Sequence, residues 1–208
     1  GTGGGYAYPG TPSTEILEYI QQSPEARERG VHRDWSVNEK TALEEGLGLS
    51  YAGRRALVAM KHVGLNVAAD PFVNAAVTGV NGGLVIVVAD DPSMHSSQNE
   101  QDSRFYAGFA GIPLLEPSTQ QEAYEMTRAA FDLSETWRIP VLVRIVTRLA
   151  HSRADVQTAP PVRPAPRALP TDPRQFVLLP ANARRNYERL LDQQAEFLAQ
   201  SERSAYNF

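Results

Sequence analysis

Two stretches of the chain are apolar for the length of a strand and then turn sharply polar. Ala56-Leu-Val-Ala-Met60 runs into Lys61-His62, and Leu84-Val-Ile-Val-Val-Ala89 runs into the polar segment Asp90 to Arg104. Short unbroken apolar runs of this kind predict strands buried on both faces. Pro140 to Val146 reads as a third strand and Ile112 to Leu115 as a short fourth. Helical periodicity fills the gaps. Thr11-Pro12-Ser13 opens a helix with Ile16, Leu17 and Ile20 on one face. Ser36 to about Ser50, residues 63–77 and Ser96 to Phe109 read as helices. Ser118-Thr-Gln-Gln121 has the spacing of a capping box. It leads a segment ending at Trp137, with Ala123, Met126, Ala130, Leu133 and Trp137 on one face. Gly46 and Gly48 lie inside the second helix, where each costs roughly 1 kcal/mol relative to alanine. The pair predicts a close neighbour to that backbone.

Strands alternating with helices predict an open α/β sheet, mostly parallel, with helices on both faces. In such sheets ligands bind outside the carboxyl ends of the strands, where Lys61-His62 and Asp90 to Arg104 emerge. The pattern changes near Ala150. Pro160, Pro161, Pro164, Pro166, Pro170 and Pro173 predict an extended, stiff connector. Asn182 to Arg203 is helical and charged, with an apolar stripe of Tyr187, Leu190, Leu191, Ala195 and Leu198. The expected organisation is an α/β domain over 1–152 with a truncated N-terminus, a proline-rich linker over 153–180, and a helix over 181–208. That helix either packs back on the domain or leads to a further one.

The composition narrows the function classes. Of 208 residues, 42% are hydrophobic and 21% charged, and the formal net charge is −4. That balance gives no electrostatic basis for binding nucleic acid or an anionic membrane surface. No apolar run is long enough to span a membrane. Cysteine is absent, which excludes cysteine-ligated clusters in this chain and fits a reducing cytoplasm. The 4 histidines are scattered without a His-x3-His pair, so no metal site is expected here. Gly1 to Gly5 is compatible with a cloning remnant.

Several residues could carry chemistry. Glu39 completes Ser36-x-x-Glu39, itself a capping box, and could equally be a catalytic carboxylate at a helix start. Tyr8-Pro-Gly-Thr-Pro-Ser13 is a tight turn into a helix, and Thr11 with the nearby amides could hold an anion. No GxxxxGK[ST] or strand-to-helix GxGxxG is present. Lys61 and His62 sit at the expected sheet edge. Arg104 could clamp a carboxylate or be a surface charge. His95 and Ser96 lack the G-x-S-x-G context of a hydrolase.

These residues, taken together, resemble a known family. Tyr8-Pro-Gly-Thr-Pro-Ser13, Asn38-Glu39-Lys40, Met60-Lys-His-Val-Gly-Leu-Asn-Val-Ala-Ala-Asp70, Gly82-Gly-Leu-Val85 and Ala89 to Arg104 look like the alpha subunits of indolepyruvate:ferredoxin oxidoreductases. These are thiamine-diphosphate enzymes of the 2-oxoacid:ferredoxin oxidoreductase superfamily. The likeness extends to Phe176-Val-Leu-Leu-Pro-Ala-Asn-Ala-Arg-Arg185. It implies a three-layer α/β/α pyrimidine-binding (PYR) domain. It further implies oxidative decarboxylation of an aryl 2-oxoacid such as indolepyruvate, with the acyl group passed to coenzyme A and electrons to ferredoxin. In the family the carboxylate matching Glu39 hydrogen-bonds the cofactor's aminopyrimidine ring. Tyr8 and Thr11 match a loop near the 2-oxoacid, Arg104 matches an arginine that holds its carboxylate, and Lys61 and His62 lie in a motif at the cofactor edge. No Gly-Asp-Gly motif for Mg2+ and the diphosphate is present, and no cluster cysteines. The resemblance therefore implies a fragment completed by the remaining alpha-subunit domains, a beta subunit, iron–sulfur clusters elsewhere and a homo-oligomer. It also implies little or no cofactor binding and no turnover by the chain alone. Alternatives are a non-catalytic α/β scaffold of the same fold, or the same chemistry on another 2-oxoacid.

Overall fold

The computed structural model describes residues 1–207. Five strands form one sheet: β1 (Gly4–Ala7), β2 (Ala56–Lys61), β3 (Leu84–Asp90), β4 (Leu114–Leu115) and β5 (Val141–Val146). Their order is β1-β2-β3-β5-β4, and every pairing is parallel. Among the described residues nine α-helices accompany it: α1 (Thr14–Gln22), α2 (Pro24–Glu28), α3 (Glu39–Tyr51), α4 (His62–Val67), α5 (Ala69–Thr78), α6 (Ser103–Ala110), α7 (Gln120–Trp137), α8 (Thr147–Ala150) and α9 (Pro180–Glu202).

The pleat explains the unbroken apolar runs. Alternate residues of a strand point to opposite faces. Ala56, Val58, Met60, Leu84, Ile86 and Val88 enter one core with Leu43, Leu65 and Phe72 of the helices α3, α4 and α5. Leu57, Ala59, Val85, Val87, Val141 and Val143 enter a second core with Leu17 of α1 and Ala130 of α7. With both faces covered, the molecule has the expected three α/β/α layers.

Several local expectations need correction. Gly4 and Gly5 are buried strand residues paired with Ala56 and Leu57, so the N-terminal glycines are part of the sheet. Gly46 does allow close packing, since a Cβ there would collide with Val58, but Gly48 has no neighbour that a Cβ would meet. Residues 63–77 form two helices that meet at Ala68. The helix read from Ser96 begins only at Ser103. The intervening loop is held instead by Asp91, whose carboxylate accepts from the amides of His95 and Ser96 and the hydroxyls of Ser97 and Thr147. Such local side-chain bonds compete with helix formation. Helix α7 is capped by Thr119, one residue later than read, while Glu122 reaches back to Ser118.

The proline-rich segment runs extended along the amino ends of the strands, with Arg167 N–H donating to Gly53 O and Asn81 to Ala168 O. Helix α9 then docks against α5 and α7 on a face that shares only Leu190 with the stripe expected. Leu190 and Asn186 are buried and Phe197 tilts against Trp137, whereas Tyr187, Leu191 and Leu198 are exposed. Polar side chains fix this face: Arg189 donates to Val77 O and Thr78 O, and Gln193 to Trp137 O.

Candidate active site

The carboxyl edge of the sheet carries the residues of interest, and the short connection from β2 into α4 organises them. Helix α4 begins immediately after Lys61, and its Gly64 lies against Glu39 in the first turn of α3. A Cβ on Gly64 would stand 2.5 Å from Glu39 Cγ and 2.7 Å from its Oε1. Glycine is therefore what lets the Glu39 side chain lie across α4. Glu39 is half-buried, and its carboxylate makes no hydrogen bond or ion pair among the described residues. The capping reading is overturned here. Asn38 is the N-cap, accepting from Thr41 N–H at 2.9 Å, while Ser36 donates to Glu45. Glu39 is thus the first helical residue, free of a capping role.

Lys61 is the second organising residue. Its side chain is 9% exposed, and Nζ donates to Ser96 O at 3.0 Å. Its stem crosses Gly10, where a Cβ would meet Lys61 Cδ at 3.0 Å. One lysine thereby joins the loop after β1, which holds Tyr8 and Thr11, to the loop after β3. Tyr8 is 39% exposed and Thr11 is exposed. The turn's own hydrogen bonds run through Thr14 and Ser13 rather than Thr11.

His62 is fully buried beside this edge, and neither ring nitrogen has a hydrogen-bond partner. Asp90 Oδ1 and Ser103 Oγ are likewise buried and unpartnered. Asp90 Oδ2 accepts from Ser103 N–H at 3.0 Å and from Arg144 Nε at 2.6 Å. Arg144, 5% exposed, also reaches Glu116, and its Nε lies 3.6 Å from Asp102. Burial opposes ionisation of Asp91, but hydrogen bonds from Ser97, Ser96, Thr147 and His95 outweigh it and hold the carboxyl below the usual carboxylate range. Arg104 follows Asp102, the α6 N-cap, and is clamped by it through contacts of 2.6 to 3.0 Å.

Lys61 and His62 thus lie where β2 ends, Glu39 packs on Gly64 of α4, Gly10 of the turn holding Tyr8 and Thr11 packs on Lys61, and Arg104 pairs with Asp102 near Glu116 at the start of α6. Arg144 was not singled out from the sequence. A charged residue inside the apolar run Val141 to Val146 was the available signal, because a buried charge requires partners. A cavity of about 630 Å³ lies at the opposite edge of the sheet, between Arg54, Arg163 and Glu135. A second, of about 610 Å³, lies beside His95 and Thr147. Neither includes Glu39.

The family model described as "Pyruvate flavodoxin/ferredoxin oxidoreductase, thiamine diP-bdg" matches residues 5–188. The chain belongs to this family. Within it, "Indolepyruvate oxidoreductase subunit IorA" of Thermococcus kodakarensis is 48% identical over 192 residues, covering 89% of this chain and 29% of the relative. The subunit of the same name from Methanothermobacter thermautotrophicus is 46% identical over 208 residues, covering 100% of this chain and 33% of the relative. "2-oxoglutarate synthase subunit KorA" of that organism is 31% identical over 177 residues, covering 82% of this chain and 46% of the relative. The chain spans about a third of the length of the curated IorA relatives. A solved 2-oxoglutarate:ferredoxin oxidoreductase from Magnetococcus marinus superposes with a TM-score of 0.72 at 19% identity, covering 96% of this chain and 42% of that one. The family's thiamine-diphosphate-binding fold is therefore the fold described above.

Proposed function

We propose that the chain supplies the pyrimidine-binding wall of a thiamine-diphosphate active site. The enzyme it serves would oxidatively decarboxylate an aryl 2-oxoacid such as indolepyruvate, forming an acyl-CoA and reducing ferredoxin. Family membership and the likeness to IorA subunits support this reading. The observation that carries it is the unpaired, half-buried carboxylate of Glu39, held at the sheet's carboxyl edge by the cradle of Gly64.

That cradle fits one end of the cofactor. A carboxylate with no intramolecular partner can accept from a ring N–H and carry the shared proton. The cofactor, when bound, supplies the nucleophilic carbon and the electron sink for the chemistry. What the chain contributes is a proton-exchanging oxygen on Glu39, a rim formed by Tyr8 and Thr11, and cations at Lys61 and Arg104. His62 belongs to the buried support beneath the rim. The other end of the cofactor is not matched here. The chain has neither a phosphate-cradling glycine loop nor a Gly-Asp-Gly motif for Mg2+, and without cysteine it holds no iron–sulfur ligands. The remaining alpha-subunit domains, a beta subunit, ferredoxin and a homo-oligomeric assembly complete the proposal. The cysteine-free composition is consistent with the cytoplasm.

Glu39→Gln in the complete enzyme tests it. The substitution keeps shape and removes the ability to take up and release a proton. Turnover of the 2-oxoacid is expected to fall by about 100-fold or more, with the circular dichroism spectrum unchanged. Undiminished turnover would reduce the domain to a scaffold.

A further inference from the structure

We propose that the undocked apolar stripe of α9 is the contact face of a homodimer, in which α9 of a second copy of this chain lies antiparallel against it. Helix α9 buries one side on the domain through Asn186 and Leu190 and leaves Tyr187, Leu191 and Leu198 at 52, 53 and 63% exposure. Separations of four and seven residues bring these three onto one line along the helix. Arg184, Ala195 and Glu202 fall on the same line, and all three are exposed. The positions 184, 187, 191, 195, 198 and 202 recur at intervals of three and four, the spacing of a helix that packs along another helix. Single exposed apolar residues are ordinary, but three in line over about three turns mark a contact surface.

The charges at the two ends of the line select the occupant. The amino end carries Arg184 and the carboxyl end Glu202, and neither forms an ion pair among the described residues. A parallel copy would set arginine against arginine and glutamate against glutamate. An antiparallel copy, related by a two-fold axis beside residue 193, sets Arg184 against Glu202 of the second copy. It also sets Tyr187 against the second copy's Leu198, and Leu191 against its Ala195. Each contact then occurs twice, as in any isologous dimer. The line is its own complement, and antiparallel helices also oppose their dipoles. One helix pair is a small interface, well below about 1,200 Å², so the dimer of this chain is weak. None of this depends on the cofactor or the substrate.

Sedimentation equilibrium of the chain, from micromolar to near-millimolar concentration at low ionic strength, tests this. The mass should rise with concentration from 22.8 kDa toward twice that value. Leu191→Glu puts a charge in the middle of the line at an exposed position, and should hold the chain monomeric with its circular dichroism spectrum unchanged. Arg184→Glu should weaken dimerisation about tenfold, since two ion pairs become two repulsions. Adding Glu202→Arg to Arg184→Glu should restore it to within about threefold of the native chain, because the swap recreates both pairs. A chain that stays monomeric at every concentration would mean that a different partner covers the stripe, and would overturn the proposal. A dimer indifferent to Leu191→Glu, or a double variant no better than Arg184→Glu alone, would overturn it too.

Discussion

His62 shows what burial does to a single titratable residue. Burial disfavours its charged form and lowers its pKa below the ordinary histidine value, with Asp90 opposing that shift and Lys61 reinforcing it. The unfolded chain titrates this ring near 6.5, while the folded chain keeps it neutral to lower pH. Stability from this residue is therefore complete above about 6.5 and is lost as the pH falls below it. Urea midpoints of the native chain and of His62→Asn, compared at pH 7.5 and 5.5, check this. The native protein should lose more on acidification than the variant, and parallel losses would show that His62 does not titrate as buried. The sequence placed Lys61 and His62 at the right edge, because both follow an apolar strand. It could not separate their roles. One side chain emerges against a neighbouring loop and the other turns into the core, and that depends on the turn into α4. The cap at Asn38 was misread because serine and asparagine are comparable N-caps, and only the turn geometry chose between Ser36 and Asn38.

At the scale of elements, the ion cluster around Arg144 joins β5, the end of β3, the start of α6 and the segment after β4. Its arginine and Asp90 are both nearly inaccessible. Removing one partner of a buried pair leaves the other charge uncompensated, at a cost of about 3–5 kcal/mol. Arg144→Met is expected to lose that much in urea unfolding, with Asp90→Asn in the same background recovering part of it. A loss below about 1 kcal/mol, the range of exposed pairs, would mean that the cluster is solvated. Nothing local in the sequence ties residue 144 to residues 90 and 116, so this joint was not legible. The strands and α7 were, because their patterns arise from one neighbouring layer. The start of α6 was not, since Asp91 gathers four donors from the loop and its surroundings. For α9 two apolar stripes compete. The docked one is chosen by Arg189, Gln193 and Phe197 meeting groups on α5 and α7, which a one-dimensional pattern does not contain.

On the proposed reading the whole molecule is one wall of a crevice, and that decides how much of a large dianionic cofactor it can hold. In that reading Glu39 and the rim meet only the pyrimidine end, burying one side of a ring. The diphosphate end needs either a helix N-terminus with a glycine loop or a metal held by carboxylates. The sequence contains no such loop, and the described residues contain no cluster of three or more metal-ligating side chains. The formal charge of −4 adds a weak general repulsion. One ring contact must then offset the whole loss of translational and rotational freedom on association, which runs to several kcal/mol. Titration of the chain with thiamine diphosphate and Mg2+ is accordingly expected to show no saturable heat at cofactor concentrations up to about a millimolar, since binding weaker than that corresponds to less than about 4 kcal/mol. A micromolar dissociation constant would require a diphosphate site within these 208 residues. The arginines lining the cavity at the opposite edge, Arg54 and Arg163, would then be the first to replace.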